Sequence, residues 1–171
     1  AGARKKIAKK TIFNLIGPLS SPAQVKKQVV GVFNEKWMIP FAEALRENEV
    51  DNAMIVHSED GFDEISPFAK TKIIELNNGK IKNFIIDPNE LNIINNNKEN
   101  LRGKNAKYNA QKIIDIYKGV ENEFSDAVSL NVAAGLVIAT KEKNFKDSYN
   151  LAKQHLKSGK VFNHLQKIKA I

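Results

Sequence analysis

The chain has 171 residues, of which 27 are Lys or Arg and 19 are Asp or Glu, so its formal net charge is +8. This length suits a single domain with a sizeable core, and a hydrophobic content of 42% argues against disorder. No apolar run approaches the roughly 18 residues of a membrane span, so we expect a soluble, cytoplasmic protein without a membrane partner.

Charge and cysteine content limit the chemistry that is open to the chain. The excess of basic residues favours an anionic partner, either nucleic acid or a phosphorylated small molecule. Cysteine is absent from the sequence, which excludes disulfides, thiolate metal sites and thiol nucleophiles. Because His57, His155 and His164 are scattered, a bound metal is expected to be a hard, oxygen-bound cation such as Mg²⁺.

The first part of the chain has the pattern of alternating strands and helices. After a basic N-terminal segment, residues 11–22 are apolar but broken by Gly-Pro and Ser-Pro, which predicts a tightly packed turn or loop. Residues 25–33 predict a strand, and 35–47 predict a helix with Pro40 in its first turn. A buried strand is predicted at 53–57. Strand, helix and strand in this order form a unit whose strands are parallel.

The remainder predicts a hairpin followed by helices. Two β-branched runs, 71–76 and 80–86, flank Asn77-Asn78-Gly79 and predict antiparallel strands. A polar surface loop around a short helix follows. Helical spacing then recurs at 106–118, 124–140, 144–158 and 161–168. The second of these helices is apolar nearly all round, which predicts burial against the sheet. We therefore expect an α/β domain with a mixed, mainly parallel sheet flanked by helices.

An acidic loop follows the strand predicted at 53–57. It holds four acids, Glu59, Asp60, Asp63 and Glu64, at the C-terminal end of a strand, where open α/β sheets bind ligands. Composition leaves two interpretations open, a metal site or a solvated turn. The histidine that precedes the loop, His57, is interpreted as a structural hydrogen-bonding residue rather than a base. GxSxG, HExxH, GxxxxGK[ST] and GxGxxG motifs are absent from the sequence, so no catalytic residue is assigned.

Three segments resemble one known family. Residues 11–22, TIFNLIGPLSSP, are similar to the RTIFNLLGPLTNP motif of anthranilate phosphoribosyltransferases, which act in tryptophan biosynthesis. The acidic loop resembles that family's HGxDGLDEIS, and residues 130–136, LNVAAGL, resemble its LNAAAAL helix. These matches occur in the family's order along nearly the whole chain. The resemblance implies the α/β-domain fold of nucleoside phosphorylases and phosphoribosyltransferases.

The resemblance also implies a reaction and its site residues. In that reaction the amine of anthranilate displaces pyrophosphate from phosphoribosyl pyrophosphate. The family's metal-binding acidic pair falls on Asp63 and Glu64, which implies Mg²⁺ as the cofactor. The arginine that contacts the anthranilate carboxylate falls on Arg4, and a planar guanidinium suits a carboxylate because it donates two parallel hydrogen bonds.

The resemblance covers only part of the family's pattern. The family's chains are much longer, and their N-terminal helical domain and glycine-rich pyrophosphate loop have no counterpart in this sequence. We therefore expect residues 1–171 to be the C-terminal part of the phosphoribosyltransferase α/β domain, inactive when alone. We expect the full-length protein to be a homodimer.

Two alternatives remain open. A non-enzymatic relative of the same fold would use its basic surface to bind nucleic acid phosphates. A pyrimidine nucleoside phosphorylase would share the architecture. The Asp63-Glu64 pair and Arg4 favour the transferase over the first alternative, and the motif at 11–22 favours it over the second.

Overall fold

The computed structural model describes residues 15–94, 97–139 and 144–170. The strands of one sheet follow each other in chain order, and they are β1 Lys27–Gly31, β2 Asn52–Ser58, β3 Thr71–Asn77 and β4 Lys80–Ile86. The helices are α1 Ile16–Leu19, α2 Met38–Glu47, α3 Ala106–Tyr117, α4 Glu123–Ala139, α5 Phe145–Lys157 and α6 Lys160–Lys169. Short 3-10 turns lie at Glu35–Trp37, Pro88–Leu91 and Lys98–Leu101.

The sheet is mixed and flanked by helices, as the sequence predicts. Strands β1 and β2 are parallel and joined by α2, with Gly31 opposite Val56 at their C-terminal ends. Strand β3 is antiparallel to both β2 and β4. Within the described residues, parallel pairing joins β1 and β2 alone. The sheet there is therefore mixed but not mainly parallel, because the hairpin contributes to both of the other pairs.

The hairpin turn follows from its two central residues. Asn78 has a φ of 48° and Gly79 a φ of 79°, and these residues connect the paired positions Asn77 and Lys80. Two consecutive positive φ values are typical of a type I′ turn, whose twist matches that of the two strands. The predicted Asn-Gly hairpin is confirmed at its predicted position.

The core lies on both faces of the sheet because β2 is buried on both sides. Residues 53–56 of this strand are at most 1% exposed, which is why they are continuously apolar rather than alternating. On one face Phe41 and Leu45 of α2 belong to a buried cluster with Ile55. On the other face Leu130 of α4 belongs to a second cluster with Met54. At about 25 cal/mol per Å² of buried apolar surface, these clusters are the main source of stability.

Helix α4 is buried on one side only. Ala133 and Ala134 are fully buried, and their small side chains allow the helix to approach the sheet closely. Val132, in contrast, is 46% exposed. The predicted burial of this helix against the sheet is confirmed for the face that carries Leu130, Ala133 and Ala134, whereas outer side chains such as Val132 border an open cleft.

The Gly-Pro segment is partly described. Residues 16–19 form one helical turn, and the preceding Leu15 is buried in the core. Ile16 is 37% exposed, so the tight packing predicted for this segment is found at Leu15 but not at Ile16. In the part of the chain that the structure describes, no helix is long and apolar enough to cross a membrane.

Candidate functional site

The acidic loop leaves the C-terminal end of β2 and folds back on itself. The Ser58 N–H donates to the Phe62 carbonyl at 2.9 Å, so the loop closes across its own base. Asp60 organises the interior of the loop, because its two carboxylate oxygens accept hydrogen bonds from the Phe62 N–H at 3.2 Å and from the Ser66 hydroxyl at 2.8 Å. One of the four acids is thus structural rather than a free ligand.

Lys98 attaches a distant turn to this loop. Its Nζ atom donates to the Asp60 carbonyl at 2.7 Å and lies 3.6 Å from the Asp60 carboxylate. The same atom is 4.2 Å from the centroid of the Phe62 ring, within the range of a cation–π contact. One lysine therefore holds three groups of the acidic loop.

The electrostatics of Asp60 fit this structural role. Burial raises the pKa of its carboxyl, but hydrogen bonds from Ser66, Ser58 and the Phe62 N–H, together with the charge of Lys98, outweigh burial and lower the pKa below its ordinary value. A carboxylate with a lowered folded-state pKa stabilises the fold above its unfolded-state pKa, and this contribution is lost as the pH falls through the folded-state pKa. The contribution of Asp60 to the stability of the loop is therefore fully present at neutral pH.

Gly31, the last residue of β1, lets the acidic loop approach the sheet. A Cβ atom at this position would lie 1.6 Å from the Asp63 carbonyl oxygen and 2.6 Å from its carbonyl carbon. No side chain fits in this space, so the backbone of Asp63 rests directly on the end of β1. The parallel pairing of β1 with β2 therefore fixes where the first residue of the Asp63-Glu64 pair lies.

Asn131 of α4 holds the residue that follows the pair. Its Oδ1 atom accepts from the Ile65 N–H at 3.0 Å, and its Nδ2 atom donates to the Ile65 carbonyl at 3.1 Å. Nδ2 also donates to the Ala127 carbonyl one turn earlier in the helix, at 2.9 Å. The Ile65 side chain is 1% exposed and belongs to the same core cluster as α4.

Asp63 and Glu64 themselves are exposed and face an open cleft. Among the described residues, neither carboxylate has a hydrogen-bond or ion-pair partner. The cleft has a volume of about 830 Å³. Most of its other described lining residues are apolar, namely Val29, Val56, Phe62, Leu101, Phe124, Ala127, Val128 and Val132.

The donor set of this cleft fits a hard cation. The described lining residues include two free carboxylates but no Lys or Arg. A phosphorylated ligand beside Asp63 and Glu64 would meet like charge unless a cation lay between them. Mg²⁺ in proteins usually keeps several waters and is bound by one or two carboxylates together with phosphate oxygens of the substrate. Two carboxylates beside an open space fit this pattern better than that of a site in which the protein provides all the ligands. In the described ranges, no cluster of three or more acidic, His or Cys side chains offers such a site.

The remaining residues singled out from the sequence are Arg4 and the three histidines, and none of them is among the described residues that line the cleft. Arg4 lies outside the described residues. The Nδ1 atom of His57 is 2.8 Å from the Val32 carbonyl oxygen, which confirms a structural hydrogen bond from the end of β2 to the chain beyond β1. His155 of α5 and His164 of α6 border a separate surface cleft together with two lysines of α6, Lys160 and Lys167.

Three residues that position the acidic loop were not identified from the sequence alone. Gly31 is one of nine glycines and carries no motif of its own. Lys98 lies in a polar stretch that suggests only a surface loop. Asn131 is the one polar residue within an otherwise apolar and small segment, 130–136, and a polar residue in such a segment is the signal that marks a specific hydrogen bond.

Comparison with known proteins identifies close relatives. Anthranilate phosphoribosyltransferase of Pelagibacter ubique (strain HTCC1062) is 54% identical over 168 residues, which are 98% of this chain and 51% of that protein. The crystal structure of anthranilate phosphoribosyltransferase from Thermus thermophilus matches with a TM-score of 0.86 at 32% identity, and covers 98% of this chain and 49% of that one. A variant of the Saccharomyces cerevisiae enzyme with Mg bound matches with a TM-score of 0.82 at 25% identity, over 95% of this chain and 48% of that one.

These comparisons show how much of its relatives' length the chain covers and to which family it belongs. The chain spans about half the length of the relatives that it matches. The sequence pattern of the glycosyl transferase family, a/b domain, matches residues 1–162, which is nearly the whole chain. The mixed four-stranded sheet with flanking helices agrees with the matched solved structures. The chain therefore belongs to the glycosyl transferase family, a/b domain.

Proposed function

We propose that the chain is the C-terminal part of the α/β domain of an anthranilate phosphoribosyltransferase. The enzyme transfers the phosphoribosyl group of phosphoribosyl pyrophosphate to the amine of anthranilate in tryptophan biosynthesis, in the cytoplasm. The observation that carries the proposal is the pair of free carboxylates, Asp63 and Glu64, on a fixed loop at the edge of a cleft. The 54% identity to an enzyme of that name supports this substrate pair.

Asp63 and Glu64 are the residues that would hold Mg²⁺. A cation held there would supply positive charge to offset the charge that develops on the departing pyrophosphate. The chain's own contribution is to hold both side chains at the border of the cleft, without a competing Lys or Arg among the described lining residues. Val128 and Val132 of α4 line the same cleft and offer an apolar wall beside the two carboxylates.

Arg4 is proposed to bind the carboxylate of anthranilate. In the full-length protein that carries this chain under our proposal, Arg4→Ala should raise the KM for anthranilate by about 10-fold or more, because a charge-assisted hydrogen bond contributes about 1.5–3 kcal/mol. The KM for phosphoribosyl pyrophosphate should change far less. Steady-state kinetics with each substrate varied in turn measure both constants.

A neighbouring basic residue provides the control for this prediction. Lys5→Ala removes one charge from the same segment and should leave both KM values nearly unchanged. An increase confined to the KM for phosphoribosyl pyrophosphate in Arg4→Ala would remove this residue from the acceptor site.

The nucleic-acid-binding alternative is less well supported by the cleft. Its described lining residues are carboxylates, which would repel a phosphate backbone, and mainly apolar side chains, which offer it no favourable contact. Several lysines are also engaged in ion pairs, among them Lys72 with Glu35 at 2.7 Å and Lys157 with Glu121 at 2.8 Å. The surplus of basic residues behind the net charge of +8 is thus not found among the described residues that line the cleft.

The proposed function is tested by comparing the 171-residue chain with the full-length protein. The full-length protein should form phosphoribosylanthranilate from the two substrates in a Mg²⁺-dependent reaction, measured by the loss of anthranilate fluorescence. The chain alone should give no turnover, because the described cleft supplies carboxylates but no basic group for the diphosphate. Absence of turnover by the folded full-length protein would overturn the proposed function, and turnover by the chain alone would show that the site is already complete.

A further inference from the structure

The carboxylate pair lies between two anchored segments of the acidic loop. On the N-terminal side, the Phe62 carbonyl accepts from the Ser58 N–H, and its ring lies beneath Lys98. The backbone of Asp63 rests on Gly31. On the C-terminal side, the attachment is made by α4, a different element that is far away in the sequence. That second attachment holds the backbone of Ile65, the residue that follows Glu64.

Asn131 makes this second attachment with a single side chain. Its carboxamide pairs with both the N–H and the carbonyl of Ile65, as a neighbouring strand would. The bond from Nδ2 to the Ala127 carbonyl fixes the orientation of the amide on the helix. The side chain also borders the cleft that Asp63 and Glu64 face. Residue 65 is bonded directly to Glu64, so rotation of its peptide plane would redirect that carboxylate.

We infer that Asn131 is a positioning residue for the metal site, and that its paired hydrogen bonds to the Ile65 backbone hold Asp63 and Glu64 in the arrangement that binds the cation. This inference rests on the proposed function, because it takes the carboxylate pair as the metal ligands. Groups that orient metal ligands from behind typically contribute about 10- to 100-fold to metal affinity. Asn131 acts through the loop and does not itself touch the cation.

The most informative variant is Asn131→Ser. A serine hydroxyl on a helix can donate to the carbonyl four residues earlier, so the contact with Ala127 is retained. The hydroxyl is too short to bond both groups of Ile65, so the attachment to the loop is lost. Asn131→Leu, which is close in size but makes no hydrogen bonds, removes all three contacts. Both variants should fold, because the helix keeps its buried face of Leu130, Ala133 and Ala134.

The test measures Mn²⁺ binding to the full-length protein in the presence of phosphoribosyl pyrophosphate, from the electron paramagnetic resonance signal of free Mn²⁺. Both variants should raise the Kd for Mn²⁺ by about 10- to 100-fold. The Mg²⁺ concentration for half-maximal turnover should rise in parallel, while kcat at saturating Mg²⁺ falls less. A variant that only lost stability would have a lower melting temperature, but its Mg²⁺ concentration for half-maximal turnover would not rise more than its kcat falls.

Leu156→Ala is the control for stability. This residue lies on α5, is 6% exposed, and lines a cleft whose described lining residues include none from the acidic loop. Its truncation should cost about 2–5 kcal/mol of stability, yet leave the Kd for Mn²⁺ unchanged. An unchanged Kd for Mn²⁺ in folded Asn131→Ser would overturn the inference.

The double variant Asp63→Asn, Glu64→Gln separates this inference from the proposed function. It should weaken Mn²⁺ binding most, and adding Asn131→Ser to it should have no further effect, because the two changes act on one site. If the double variant binds Mn²⁺ as tightly as the unmodified protein, the metal assignment itself fails. If the double variant weakens binding and the Asn131 variants do not, only the positioning role fails.

Discussion

Replacement of both free carboxylates, Asp63→Asn with Glu64→Gln, should lower Mg²⁺-dependent kcat/KM of the full-length protein by at least about 100-fold. The physical reason is that amide oxygens carry no net charge and hold a hydrated Mg²⁺ far more weakly than carboxylates. The fold should be retained, because both side chains are exposed and have no partner among the described residues. Kinetics at several Mg²⁺ concentrations and a thermal unfolding curve measure both effects.

Glu59→Gln is the matched control for this loss. Glu59 is exposed on the same loop but does not border the cleft, so its neutralisation changes the loop charge without removing a proposed ligand. Turnover and its Mg²⁺ dependence should remain within about 2-fold of the unmodified protein. If Glu59→Gln is as damaging as the double variant, general loop charge rather than ligand identity governs activity. If the double variant retains full activity, the metal assignment is wrong.

Gly31→Ala is expected to be the most damaging change of a single methyl group. A Cβ at Gly31 would lie 1.6 Å from the Asp63 carbonyl oxygen, so the loop must move away from β1 by about 1 Å or more. A displacement of this size at a site of chemistry costs about 100-fold in rate. Forced overpacking should also lower stability by about 1–3 kcal/mol. Steady-state kinetics and thermal unfolding of the full-length protein report these losses.

Gly135→Ala makes the same chemical change as Gly31→Ala, but we expect it to lower neither activity nor stability. Apart from its chain neighbours and the backbone of its own helix, a Cβ at Gly135 meets no atom within 4 Å, and the residue lies inside α4. Alanine is favoured over glycine in a helix by about 1 kcal/mol, so this variant should be slightly more stable and fully active. Equal activity and stability in Gly31→Ala and Gly135→Ala would show that the close approach of the loop to β1 is not required.

Features with a short sequence range could be predicted from the sequence. Strand β2 is visible as a continuous apolar run, and the hairpin is visible because Asn78 and Gly79 tolerate positive φ values. The position of the acidic loop at the end of β2 follows from the order of the elements. Asp63 and Glu64 could be singled out from the other acids only through the resemblance to a family, because composition alone treats all four as equivalent.

Features that depend on tertiary contact could not be predicted. Asn131 is 66 residues from Ile65, and Lys98 is 38 residues from Asp60, so no local pattern connects them. The role of Asp60 as an internal hydrogen-bond acceptor rather than a free ligand depends on how the loop closes on itself. A hydrophobic pattern also shows which residues avoid water, but not which element covers them. The apolar pattern of α4 thus predicts its packing against the sheet but does not show that Val132 borders the cleft.

The central claim is that Asp63 and Glu64 hold the metal ion of the transferase site. It is tested most directly by a crystal structure of the full-length protein with Mn²⁺ and phosphoribosyl pyrophosphate, in which anomalous scattering locates the metal. We expect an anomalous peak within about 2.0–2.3 Å of carboxylate oxygens of this pair, or one water molecule away from them. A fully occupied Mn²⁺ site elsewhere in the cleft, with both carboxylates facing solvent, would contradict the account.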